Sequence, residues 1–254
     1  MLLIFENNYI NLIGPGKVGS SIFNHLLNKG FEKGTIIDSS FQMSEYKNLS
    51  LKGLIFLGVP DDKISYIVRN LKKSDLKNVE AIFHFSGYHT TELFEGLNIK
   101  HKITIHPNKP FESKNVILDN VTWGVECEKD SFFIAEKFIK LLNGKILLVP
   151  KEKKKDYHLA AVISSNFVYG LIKMSNDIYE KIGLGEKAHL IELLINAANN
   201  VKKKDLFNSL TGPVQRGDLK VIEEEKNIFA KYFDKNVYDF FIEKLEEIKK
   251  GGGA

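Results

Sequence analysis

The residues best placed to do chemistry begin with Gly14-Pro15-Gly16-Lys17-Val18-Gly19, a glycine turn followed by an acid, Asp38, 22 residues beyond the central glycine. In such a turn the first glycine permits a sharp bend after a strand. The second lets a pyrophosphate approach bare backbone, and the third lets helix and strand pack closely. Phosphates then rest on the helix N-terminus, where unpaired N–H groups and the positive dipole end favour anions. Lys17 and Val18 lie in the loop, and Asp38, with Ser39 beside it, is placed to meet a ribose. The turn is not a P-loop, because Asn11 and Val18 stand where that motif requires Gly and Ser or Thr.

A second set lies downstream. Val59-Pro60-Asp61-Asp62 joins a strand to a helix, His84-Phe85-Ser86-Gly87 ends the next strand, and His106-Pro107-Asn108-Lys109-Pro110-Phe111 ends another. All reach one edge of a sheet. Ser86 and His106 there can bind a substrate hydroxyl or carbonyl, with imidazole exchanging the proton that accompanies hydride transfer. Asp61 and Asp62 read as helix N-caps, and His84 as a histidine packed into the sheet. His158, Ser165 and Asn166 share one broad helix face, Ser165 about 20° and Asn166 about 80° from His158 at 100° per residue. His158 is the second candidate acid or base, and Asn166 with Ser165 the candidate substrate contacts. Arg216 can clamp a substrate carboxylate or pair with Asp218.

The elements that position these groups divide near Pro150. Before it, an apolar strand at 10–13, a helix to Asn28 and a strand at 35–38 are followed by strands at 54–59, 81–85, 103–105, 121–125 and 146–149, with helices at 61–71 and 131–142. Continuous apolar strands alternating with helices predict a doubly wound, mostly parallel sheet covered on both faces. After Pro150 the pattern is helical, at 152–182, at 186–202 and twice between Leu219 and Lys249, while Thr211–Asp218 is too irregular for a helix. The reading is an α/β Rossmann domain over 1–150, an all-α domain over 151–250 and a flexible tail at 251–254.

The 254 residues are 43% hydrophobic and carry a net charge of +4, with 36 Lys and Arg against 32 Asp and Glu. That charge argues against a nucleic-acid partner, and Lys151–Lys155 reads as a solvated cluster at a helix start. No apolar run is long enough for a membrane span, and Glu6 and two asparagines interrupt any signal peptide; a cytoplasmic protein is expected. The single Cys127 predicts neither a disulfide nor a zinc site.

These motifs, with Tyr157-His158-Leu159-Ala160-Ala161, Asn166 and Thr211-Gly212-Pro213-Val214-Gln215-Arg216-Gly217-Asp218, resemble a family of Rossmann-like proteins grouped with NAD(P) oxidoreductases, whose helical C-terminal domain has no assigned function. The wider group is similar to the 6-phosphogluconate dehydrogenase-type superfamily, which includes pyrroline-5-carboxylate reductase, ketopantoate reductase, β-hydroxyacid dehydrogenases and prephenate dehydrogenase. In prephenate dehydrogenases a serine after one strand and a histidine of a His-Pro motif after the next are catalytic, and Ser86 and His106 resemble them in order. The Asn-Lys-Pro-Phe that follows departs from that enzyme, and the Lys-x-x-x-Asn helix pattern of β-hydroxyacid dehydrogenases is missing.

The resemblance implies an oxidoreductase using NAD or NADP on a small, carboxylate-bearing hydroxy, oxo or imino compound in an inter-domain cleft, and a homodimer made through the helical domain. Gly14, Gly16, Lys17, Val18, Gly19, Asp38, Ser39, Val59 and Pro60 would hold the nucleotide. Asp38 favours NAD, since it repels a 2′-phosphate, although Ser39 and Ser40 can bond one. A catalytically silent dinucleotide-binding protein that senses redox state or assembles with a partner, and a methyltransferase, are the alternatives.

Overall fold

A computed structural model of the chain describes Phe5, residues 7–185 and residues 188–251. It separates into two compact units, Met1–Ser164 and Ser165–Ala254. The first unit runs β1 (Tyr9–Ile13), α1 (Lys17–Asn28), β2 (Glu32–Ile37), β3 (Ser50–Leu57), α2 (Asp61–Leu71), β4 (Asp75–His84), β5 (His101–Pro107), β6 (Thr122–Cys127), α3 (Phe132–Leu141), β7 (Lys145–Leu148) and the start of α4 (Lys154–Lys181).

The strands form one seven-stranded sheet in the order β2-β1-β3-β4-β5-β6-β7. The first five are mutually parallel, β6 runs antiparallel to β5, and β7 is parallel to β6. Alternate residues face opposite sides: Leu12, Leu54 and Phe56 join a core with Phe83, Trp123 and Phe138, while Ile13, Ile55 and Leu57 join the other with Ile64 and Phe94. Burial on both faces is why these strands read as unbroken apolar runs. Because β1 has β2 on one side and β3 on the other, the chain reverses direction of winding there. A crevice opens beyond the carboxyl ends of β1 and β3 at such a switch point.

One polar group is buried in this unit where the sequence suggests a solvated cluster. Lys154, in the first turn of α4, has a side chain 1% exposed, and its Nζ lies 3.8 Å from Glu126 Oε2, itself 3% exposed. The ammonium also donates to Thr104 Oγ1, and Glu126 accepts from Thr91 N at 2.9 Å, Thr91 Oγ1 at 2.7 Å and Thr104 Oγ1 at 3.4 Å. Thr104 and Glu126 are cross-strand partners in β5 and β6, so the pair forms a fixed socket. Burial pushes the Lys154 ammonium down to about 8, against the pull of Glu126. The first turns of α4 therefore belong with the sheet.

The second unit contains the rest of α4 and then α5 (Ala188–Lys203), α6 (Leu206–Ser209), α7 (Pro213–Arg216), α8 (Leu219–Phe229) and α9 (Lys235–Gly251). The stretch expected to lack helix thus holds one turn, entered by Pro213 and closed by Gly217 at φ 80°; this Pro-first, Gly-last boundary makes a short helix possible where periodicity shows none. Gly251 ends α9 rather than beginning a tail, and residues 252–254 of the expected tail lie outside the described residues. Lys249 Nζ donates to Val214 O at 3.0 Å, tying α9 to α7. No helix among the described residues is long and apolar enough to cross a membrane.

The buried pair generates a test. Lys154→Ala leaves the Glu126 carboxylate uncompensated and is expected to cost about 3–5 kcal/mol. The Lys154→Met, Glu126→Gln double variant should recover much of it. Urea denaturation followed through the fluorescence of Trp123, the single tryptophan and fully buried in β6, measures both; a single-variant loss below about 1 kcal/mol, as for an exposed pair, would contradict the assignment.

Candidate functional site

The glycine turn sits at the switch point. Gly14 has φ +78°, and a Cβ there would fall 2.3 Å from Val59 Cγ1; one on Gly16 would fall 2.6 Å from Gly58 O. Gly16 therefore serves packing against the end of β3 as well as access to backbone, a role that belongs to Gly58 as much as to the motif. Gly19 is buried against Gly58 within α1 and lines neither of the two cavities beside the turn. No side chain caps α1, so its first N–H groups remain free for an anion.

Two cavities flank this turn, of about 500 Å³ and about 550 Å³, and both are bounded by Gly16, Gly58, Val59 and Pro60. Gly14, Asp38, Ser39 and Tyr66 line the larger. Asp38 Oδ1 accepts from Ser40 N at 2.9 Å and Ser40 Oγ at 2.6 Å, and these bonds hold its carboxyl below the usual range. The Ser40 hydroxyl is thus turned onto Asp38. Lys17, Val18, Ser86, His106 and His158 line the smaller cavity, so the three expected catalytic side chains are brought together.

Their bonding differs from expectation at Asp61. Pro60 occupies the N-cap of α2, and neither Asp61 nor Asp62 caps it: Asp61 Oδ2 accepts from Ser86 Oγ at 2.7 Å, while Asp62 pairs with Lys63 at 3.1 Å. With Pro60 in the cap position, Asp61 comes one residue and Asp62 two residues too late to cap. Ser86 Oγ also accepts from Tyr88 N at 3.1 Å and His89 N at 3.0 Å, so its hydroxyl is fully engaged. His84 is completely buried, bonds Thr90 O at 3.2 Å and is pushed down to about 3 by burial. It is the packed histidine that the sequence suggests.

His106 and His158 meet edge to face with ring centres 5.5 Å apart. Their closeness depends on Gly87, where a Cβ would fall 2.4 Å from His158 Nδ1 and 2.9 Å from His106 Cδ2. His158 Nδ1 is buried without a hydrogen-bond partner. Burial first, then His158 and Lys154, pushes the His106 imidazole down to about 4, with Asp61 opposing. His106 is accordingly neutral at pH 7, able to take a proton and not to supply one from an imidazolium.

Asp61, read from the sequence as a cap, and Tyr157, Asn108 and Lys109, given no chemical role there, are further functional candidates. His106 Nδ1 lies 2.8 Å from Tyr157 Oη, which donates to Asn108 Oδ1 at 3.0 Å. Lys109 lines the smaller cavity while its Nζ donates to Ile117 O at 2.9 Å. The available signal is the spacing of Lys154, Tyr157 and His158, an i, i+3, i+4 set on one helix face. Cys127 is half-buried with its thiol pushed up to about 11 by burial, and among the described residues no group of three or more His, Cys, Asp or Glu side chains is placed to hold a metal.

In the second unit, Ser165 Oγ donates to Asn166 Oδ1 at 3.0 Å. Arg216 Nε donates to Asp218 Oδ2 at 2.8 Å, the local pairing foreseen as the alternative to a carboxylate clamp.

Comparison with known proteins follows this architecture. A sequence family described as a domain of unknown function (DUF2520) matches residues 121–243. No curated protein matches the chain. Among solved structures, a Thermotoga maritima protein is 30% identical with a TM-score of 0.79, over 96% of this chain and 100% of its own. A candidate NADP oxidoreductase of Bacteroides fragilis is 19% identical, TM-score 0.74, over 95% and 99%. Plasmodium falciparum pyrroline carboxylate reductase, with NADP bound, is 18% identical, TM-score 0.59, over 96% and 99%. The last two are likenesses of fold. At the identity and coverage of the first, the chain belongs to the same family as the Thermotoga maritima protein, with a Rossmann-like α/β fold followed by a helical C-terminal region.

Proposed function

We propose that the protein is an NAD(P)-dependent oxidoreductase that moves a hydride to or from a small, carboxylate-bearing hydroxy, oxo or imino compound. The observation that carries this reading is the pair of cavities meeting at one uncapped glycine turn, because a dinucleotide has two halves joined by a pyrophosphate. The residues fit that group: a Cβ at Gly14 or Gly16 would displace the end of β3, and the side chains on either side differ in chemistry. Gly14, Gly16, Lys17, Val18, Val59 and Pro60 would hold the phosphates. Asp38 and Ser39 would hold the adenosine ribose, and the negative charge of Asp38 supports NAD over NADP.

A nicotinamide nucleotide, when bound, supplies or accepts the hydride. The proton falls to this chain's own groups. His106 takes it as a neutral imidazole, His158 stands beside it, and Ser86 is oriented by Asp61. The cation Lys109 in the same cavity suits a substrate carboxylate.

Calorimetry with NADH, NADPH and S-adenosylmethionine is expected to show binding of a nicotinamide nucleotide and not of the methyl donor, weakened at least about tenfold by Gly16→Val, about 1.4 kcal/mol. His106→Ala should keep that binding and lose about 10²–10⁴ in oxidation of small hydroxy or amino acids, the direction in which a proton must be taken up. Folded protein that binds neither nicotinamide nucleotide would refute the proposal.

We further propose a homodimer made by the helical unit. Among its described residues only Val214 is a buried hydrophobic, while Phe167, Tyr169, Leu193, Phe240 and Phe241 are exposed, far more apolar surface than a monomer presents singly. Sedimentation should give twice the 28.9 kDa chain mass. A monomer at micromolar concentration would contradict this.

A further inference from the structure

Two glycines admit the first turns of α4 to the edge of the sheet, and one of them places a hydroxyl on His106. In the β5–β6 register, Thr104 faces Glu126 and His106 faces Gly124 two residues on. Lys154 enters the first pair. One helical turn later Tyr157 enters the second, where a Cβ on Gly124 would fall 2.2 Å from Tyr157 Oη. The tyrosine hydroxyl thus occupies the volume that any other residue at 124 would fill. Its ring stands edge to face with the imidazole, 86° between planes and 5.6 Å between centres.

We infer that Tyr157 and Asn108 are positioning residues that set the tautomer of His106, leaving a lone pair on Nε2. A phenol has one proton. With that proton donated to Asn108 Oδ1 at 3.0 Å, the Tyr157 oxygen can only accept from its other neighbour, so the 2.8 Å contact is His106 Nδ1–H donating to it. The proton of the neutral imidazole therefore resides on Nδ1. Nε2, on the side of the ring that also carries Cδ2 toward Gly87, is left as an acceptor. Asn108 is exposed while His106 is partly buried, so the direction of the chain is decided at its solvent end, away from the imidazole it governs.

This inference rests on the proposed role of His106 as proton acceptor, and its consequence is chemical. A substrate hydroxyl or ammonium can give its proton to Nε2 as hydride leaves. The opposite tautomer would present N–H to the same atom and block the transfer.

The test is long-range ¹H–¹⁵N NMR of the full-length protein labelled on histidine, with His106 assigned by loss of its signals in His106→Gln. Wild type at pH 7 should show a protonated Nδ1 and an unprotonated Nε2. Asn108→Ala removes the acceptor, so Tyr157 turns its proton toward Nδ1 and the signals exchange character. Asn108→Asp, which can only accept when ionised, should restore the wild-type pattern. Tyr157→Phe keeps the ring at Gly124, and its loss of the Nδ1 partner should abolish the preference.

Turnover should fall about tenfold or more in Asn108→Ala through kcat, with nucleotide affinity unchanged and Asn108→Asp rescuing. A wild-type Nε2–H signal, or an Asn108→Ala spectrum identical to wild type, would overturn the inference. Nucleotide binding measured on the same samples separates this failure from failure of the oxidoreductase reading.

Discussion

A lysine ammonium taken out of water must find a counter-charge and donors' partners, and that requirement organises the site. Lys154 is drawn into a socket of Thr104, Glu126 and Thr91 built by β5, β6 and the loop after β4. Once it is seated, helical geometry leaves little freedom for the residues that follow. Tyr157 meets His106 and Asn108, and His158 reaches Gly87. Breaking a buried ion pair by removing one partner is costly even where the pair adds little net stability. Such a pair is a strong registry device: α4 can slide along the sheet only by leaving Glu126 buried and unpaired.

The second constraint is steric and acts at the opposite wall of the same cavity. The ends of β1 and β3 approach so closely that Gly14, Gly16 and Gly58 share one volume, which leaves the start of α1 open to an anion. Between this backbone wall and the α4 wall lies the row of Asp61, Ser86 and His106. One wall suits binding phosphate and the other suits handling a proton. Both are held by the sheet, which is the rigid element of the first unit.

Much of this is legible in the sequence because the relevant signals are local. The glycine spacing, the acid after β2 and the apolar strands depend on near neighbours, and Ser86 and His106 could be placed together because successive parallel strands must end on one edge. The misreadings concern partners far apart in the chain. Asp61 looks like a cap because capping is the local use of an acid at a helix start, whereas its partner Ser86 lies 25 residues away. Lys154 looks solvated because its neighbours are lysines, and Glu126 with Thr104 becomes visible only once β5 and β6 are paired antiparallel. Tyr157 carries no local signal beyond its spacing from Lys154, and the space it needs is recorded as a glycine on another strand. The turn at Pro213–Arg216 is too short for periodicity to register.

The claim on which the account turns is that the two cavities are the halves of one dinucleotide site within the first unit. A crystal structure of the protein grown with NADH or NADPH tests it most directly. The account predicts the adenosine half beside Asp38 and Tyr66, the pyrophosphate on the N–H groups that open α1, and the nicotinamide in the cavity of His106 and Ser86. A nucleotide bound elsewhere, or one whose nicotinamide lies outside that cavity, would contradict it.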